Sequence, residues 1–136
     1  MAILVTGAAG FIGFHVARTL LARGARVIGV DNLNSYYDVA LKEARLAALA
    51  HPQFSFQKLD IADREGMTAF AKAHPDITRV IHMAAQAGVR HSLEDPYAYV
   101  QANVLGQVTT LEMLRLFKSL ETFVSASASP VYGRNT

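Results

Sequence analysis

The chain has 136 residues, 51% of them hydrophobic and 18% charged, which suits one folded α/β domain with a real core and excludes disorder. A formal net charge of +2, with Lys and Arg scattered rather than gathered into a stripe, argues against nucleic-acid binding. With no cysteine there is no disulfide, thiolate catalysis or Cys-based zinc site; with no membrane-length apolar run and no basic leader, a cytoplasmic protein without a membrane partner is expected.

The first predicted element is an apolar strand at 2–6, directly followed by Thr6-Gly7-Ala8-Ala9-Gly10-Phe11-Ile12-Gly13. Spacing G-x-x-G-x-x-G between a strand and a helix predicts a phosphate cradle. The glycines let the backbone turn tightly and approach a pyrophosphate, and the free N–H groups of the helix face it. Glycines also occur in such turns for geometric reasons alone, so the flanking elements carry the reading. A helix at 11–23, stopped by Gly24, leads to a second strand at 26–30 that ends in Asp31. Asp31 is placed to accept hydrogen bonds from the two ribose hydroxyls of an adenosine and to repel a 2′-phosphate, so NAD is expected over NADP. Asn32-Leu33-Asn34 add amides but no Arg to neutralise a further phosphate. Read by itself, Asp31 is also compatible with a solvated strand end.

Further strands are expected at 54–59, 79–83 and 122–127, and further helices at 38–50, 64–74 and 96–118, with Pro52, Pro75, Pro96 and Pro130 at element edges. Strict alternation predicts a Rossmann-type doubly wound parallel sheet of about five strands in the order 3-2-1-4-5, with right-handed crossovers and the ligand at the switch point beside the glycine turn. In the long helix, Val100, Val104, Val108, Leu111, Leu114 and Phe117 recur at helical spacing, either packing on the sheet or forming the face of a homodimer. His15, His51, His74, His82 and His91 lack metal-ligand spacing, so no metal is expected and they read as surface or strand-end residues. A full fold of this type has a sixth strand, whereas the fifth is followed by Val131-Tyr132-Gly133-Arg134-Asn135-Thr136. The expectation is a partial dinucleotide-binding domain over 1–136, truncated after strand 5.

Several stretches together resemble extended short-chain dehydrogenase/reductases: the glycine turn, Asp31-Asn32-Leu33-Asn34-Ser35-Tyr36-Tyr37-Asp38-Val39, Asp60-Ile61, and His82-Met83-Ala84-Ala85-Gln86-Ala87-Gly88-Val89-Arg90. Within that family they look like the N-terminal half of UDP-glucuronate 4-epimerases. The resemblance implies that Gly7, Gly10, Phe11, Ile12 and Gly13 hold the NAD pyrophosphate, Asp31 and Asn32 the adenosine ribose, and Asp60 and Ile61 the adenine. It implies that the small residues Ala84, Ala85 and Gly88 let the cofactor approach the backbone, and that Asn103 supports the site through backbone hydrogen bonds. Taken alone, Asp60 reads equally as a helix-cap acid, the 84–88 loop as a plain turn and Asn103 as an ordinary polar helix position. Arg90 either meets a substrate oxyanion or pairs with Glu94 or Asp95.

Chemistry in the family needs a Tyr-x-x-x-Lys pair, in which the Lys lowers the pKa of the Tyr that takes the sugar hydroxyl proton. Four residues after Tyr36, Tyr37, Tyr97, Tyr99 and Tyr132 stand Ala40, Leu41, Gln101, Asn103 and Thr136, so the pair is not in this chain. By the resemblance it lies downstream of Val131-Tyr132-Gly133, and the family's Ser or Thr hydroxyl falls at Ala128. Ser125, Ser127 and Ser129 stand at alternate positions, on one face of the expected strand and opposite Ala128, so Ser127 or Ser129 replaces that hydroxyl only if the strand end rotates or bulges near Pro130; otherwise they are small strand-end residues. The substrate domain that would bind a UDP-sugar is expected to be absent. The implied function is the NAD-binding part of a nucleotide-sugar 4-epimerase, inactive as this chain alone. A non-catalytic NAD-binding scaffold is the alternative, as is a dehydratase or reductase of the same superfamily, although Ser129-Pro130 supplies none of the acids that dehydratases place after the hydroxyl.

Overall fold

Alternating apolar strands and helical segments build the expected sheet. In the computed structural model, which describes residues 1–134, β1 (Ala2–Thr6), β2 (Val27–Asp31), β3 (Phe54–Lys58), β4 (Ile77–His82) and β5 (Thr122–Ser125) lie side by side in the order β3-β2-β1-β4-β5, all parallel. Asn135 and Thr136, the end of the segment beyond strand 5, lie outside the described residues. Every residue of β1 and β2 is buried, as a sheet covered on both faces requires.

Side-chain alternation sends each strand to both faces. Leu4, Ile28, Val30 and Val80 pack with Met67 and Phe70 of α3 (Arg64–Ala73) and with Met113 and Leu114 of α6 (Gly106–Leu114). On the opposite face, Val5 and Val27 meet Ala17 and Leu21 of α1 (Phe11–Ala22) and Leu49, which follows α2 (Val39–Ala48). Neighbouring strands β1 and β4 connect to opposite sides of the sheet, and the crevice between their C-terminal ends opens beside residues 7–13.

Two expectations need correction. The helix foreseen over 96–118 is a composite: α5 (Pro96–Tyr99), a π-helical segment Val100–Leu105, then α6, which ends at Leu114. Asp95 starts it by accepting from Ala98 N at 3.2 Å, with Pro96 in the first turn, and a short α4 (His91–Glu94) precedes it. After Leu114 the backbone tightens, Leu116 N bonding Met113 O and Phe117 N bonding Leu114 O, which turns Phe117 into the core. Strand β5 stops at Ser125 and residues 129–132 form a 3₁₀ turn, so the hydroxyls of Ser125, Ser127 and Ser129 do not share one strand face. Among the described residues no helix is long and apolar enough to cross a membrane.

Candidate functional site

The chain leaves β1 through Gly7, whose φ of +71° is a left-handed conformation that side chains resist. Gly7 N and Ala8 N both donate to Val30 O, which fastens the turn to β2. Close approach dictates the last glycine of the turn: a Cβ at Gly13 would stand 2.0 Å from Gly7 O, so α1 can start against the turn only without one. Gly10 caps α1 with no side-chain hydrogen bond, and no acid lies in its first turn. The opening N–H groups therefore face the cleft without a protein anion to satisfy them, which fits a bound phosphate group.

That cleft has a volume of about 680 Å³, within the range of cofactor sites. Gly7, Gly10, Phe11, Ile12, Gly13, Asp31, Asn32, Asp60, Ile61, Ala84 and Ala85 all line it, so residues foreseen from four separate stretches come together. Phe11 and Ile12 are exposed at its mouth despite their size.

At one end sits Asp31, 7% exposed. Its Oδ2 accepts from Ala9 N at 3.1 Å and its Oδ1 from Leu33 N at 2.8 Å, while Asn32 Oδ1 accepts from Asn34 N at 3.1 Å. These successive side-chain turns hold Leu33 at φ +54°, a strained conformation for leucine. Beside them Asp60 accepts from Ala62 N at 2.8 Å and from Asn32 Nδ2 at 3.4 Å, and Ile61 is buried against Gly106. Asp60 thus shapes its own turn and touches Asn32.

The other end is floored by residues 83–86. Thr6 Oγ1 accepts from Met83 N and Ala84 N at 3.1 Å each and lies 2.7 Å from His82 Nδ1. Burial lowers the His82 pKa below the ordinary 6.5, with the Gln107 side chain opposing. Asn103, carried on the π-helical segment, does not line the cleft; its Oδ1 accepts from Gln86 N at 2.8 Å and its Nδ2 donates to Gln86 O at 3.1 Å. Tyr99 Oη donates to the carbonyls of Ala87 and Gly88, tying down the rest of that loop.

Arg90, Ser127 and Ser129 do not join this group: all are exposed and none lines the cleft, whereas Ala126 does. The acids suggested as partners of Arg90 are engaged elsewhere, Glu94 with His91 and Asp95 with Ala98 N. Among the described residues no group of His, Asp or Glu could hold a metal ion. Residues missed by sequence reasoning are Thr6, His82, Gln86, Lys42 and Arg45. His82 is a strand-end residue as expected, but buried, and Lys42 and Arg45 enter the cleft from α2. Only the spacing of Lys42 and Arg45 on one helix face, three residues apart, was available as a signal.

The family model described as GDP-mannose 4,6 dehydratase matches residues 4–136. An uncharacterised 37.6 kDa protein of Escherichia coli O111:H- is 53% identical over 99% of this chain and 40% of its own length. UDP-glucuronate 4-epimerase 4 of Arabidopsis thaliana is 46% identical over 98% of this chain and 30% of its own. The crystal structure of a UDP-glucose-4-epimerase from Stenotrophomonas maltophila, solved with bound NAD and formylated UDP-arabinopyranose, superposes with a TM-score of 0.82 at 32% identity, covering 99% of this chain and 39% of that one. The chain spans 30–40% of the length of these curated relatives. With its glycine turn, strand-end acid and five-stranded sheet in place, the chain belongs to the GDP-mannose 4,6 dehydratase family, among the extended short-chain dehydrogenase/reductases.

Proposed function

We propose that this chain is the NAD-binding part of a nucleotide-sugar 4-epimerase of the UDP-glucuronate type. One observation carries the proposal: a single cleft runs from the buried Asp31 carboxylate, past the uncapped start of α1, to the small residues Ala84 and Ala85. Asp31 takes the ribose hydroxyls, and Asn32 with Asp60 borders the adenine, whose apolar face rests on Ile61. Gly7, Gly10 and the first turn of α1, which includes Phe11, Ile12 and Gly13, take the pyrophosphate. Asn103 holds Gln86 and thereby the floor of the far end. When bound, NAD supplies the hydride acceptor and donor for a transient oxidation at C4 of a sugar. These 136 residues contain no Tyr-x-x-x-Lys pair, so the chain alone binds NAD without epimerising a UDP-sugar.

Calorimetric titration tests this directly. NAD binds more tightly than NADP, and Asp31→Ala weakens NAD by about tenfold, the worth of a hydrogen bond to a charged group. A chain that prefers NADP, or that binds neither dinucleotide, overturns the proposal.

A second reading, a homodimeric NAD-binding module, is favoured by one feature. Val100, Val104 and Val108 are more than half exposed in a row along the π-helical segment and α6.

A further inference from the structure

Neither the glycine turn nor the strand-end acids explain Lys42. It is the only buried residue of α2, at 6% exposed, and lysine is rarely buried without a partner. Its Nζ donates to Asn34 Oδ1 at 2.9 Å and lies 3.7 Å from Asp31 Oδ1, and the side chain lines the cleft. One turn further along α2, Arg45 lines the same end, donating to Ala9 O at 3.1 Å with its guanidinium 6.0 Å from the centre of the Phe11 ring. Asp31 is therefore paired with a cation that comes from a helix and not from the residues following it in the chain, and Arg45 adds a second cation to that part of the cleft. The other acid of the cleft, Asp60, is occupied by Ala62 N and Asn32 Nδ2.

We infer that Lys42 is a specificity-determining residue of the adenosine-ribose corner: its ammonium is held by the Asp31 carboxylate that excludes a 2′-phosphate, and once that carboxylate is replaced by an uncharged group it binds a 2′-phosphorylated dinucleotide. The inference rests on the NAD reading above. With Asp31 ionised, a 2′-phosphate is brought against a carboxylate in a corner of low solvent access, where like charges repel strongly. Replacing the carboxylate by an amide of the same shape leaves the Lys42 ammonium, with Arg45 beside it, facing the ribose. An ammonium acts as a point charge towards phosphate and a guanidinium as a fork, and both make strong charge-assisted hydrogen bonds. NAD selectivity at this corner thus depends on a single carboxylate set against a cation already in place.

Affinities for NAD and for NADP, measured by calorimetry on the wild type, Asp31→Asn, Lys42→Met and the double variant, test the assignment. Asp31→Asn shifts the affinity ratio towards NADP by about tenfold or more, the worth of a charge-assisted hydrogen bond gained, and adding Lys42→Met removes most of that gain. Added salt weakens NADP binding by Asp31→Asn more than it weakens NAD binding. Because the readout is a ratio of two ligands, a general loss of structure does not imitate it. Should Asp31→Asn fail to fold by circular dichroism, Asp31→Ser carries the same comparison. An unchanged ratio, or a gain that survives Lys42→Met, overturns the role of Lys42 while leaving the NAD reading intact. A wild type that binds no NAD overturns both.

Discussion

Thr6 is fully buried at the end of β1, and its hydroxyl can accept two hydrogen bonds and donate one. Met83 N and Ala84 N occupy its lone pairs, so its single proton must go to His82 Nδ1, which is therefore unprotonated. Burial lowers the His82 pKa, in agreement with a neutral ring. Since the folded pKa lies below the unfolded one, the unfolded chain binds the extra proton first as pH drops through 6.5. Stability consequently falls as pH drops below 6.5, until the folded ring also protonates, and above 6.5 this contribution is flat. Urea denaturation between about pH 5 and pH 8 should show that slope, and His82→Asn, which keeps an acceptor but cannot titrate, should remove it. Thr6→Val keeps the shape and leaves Met83 N its bond to the residue 6 carbonyl, but strips the Ala84 N–H and His82 Nδ1 of their partner, and should lower stability by about 1–3 kcal/mol in the same assay.

Among the elements, the turn from β1 into α1 was the most legible, because glycine spacing, strand and helix are contiguous in the chain. Gly13→Ala tests its geometry. The added methyl overlaps Gly7 O, a backbone atom that cannot swing away, so the expected loss is about 3 kcal/mol of stability with NAD binding lost as the turn is displaced. A melt and NAD titration matching the wild type would refute the close approach. The long helix was legible only in outline. Its 3.6-residue pattern is continuous through residues 96–114, but the register change at Val100–Leu105 carries Asn103 to the Gln86 backbone, a contact across the fold that the pattern does not encode. The serines beyond β5 failed as a strand face for a related reason: Pro130 sits in a 3₁₀ turn that no period-2 pattern encodes.

At the scale of the whole molecule, one face of the sheet is closed by α1 and α2 and the other by α3 and α6, yet α6 and the π-helical segment before it keep an apolar surface outside. In the homodimer reading this surface pairs with its copy, and sedimentation velocity should find a dimer that Val104→Asp combined with Val108→Asp converts to monomer without changing NAD affinity. A wild type that sediments as a monomer sinks that reading. Strand order, the glycine turn and the Asp31 position followed from the sequence alone, because each is written in hydrophobic period and local spacing. Only the tertiary structure decided which distant groups meet: the side chains of Thr6 and His82, the Asn103 amide with the backbone of Gln86, and Lys42 and Arg45 with the corner held by Asp31. In a parallel sheet, neighbouring strand ends are separated by whole helical crossovers, so the contacts that tune the site join residues with no short-range signature.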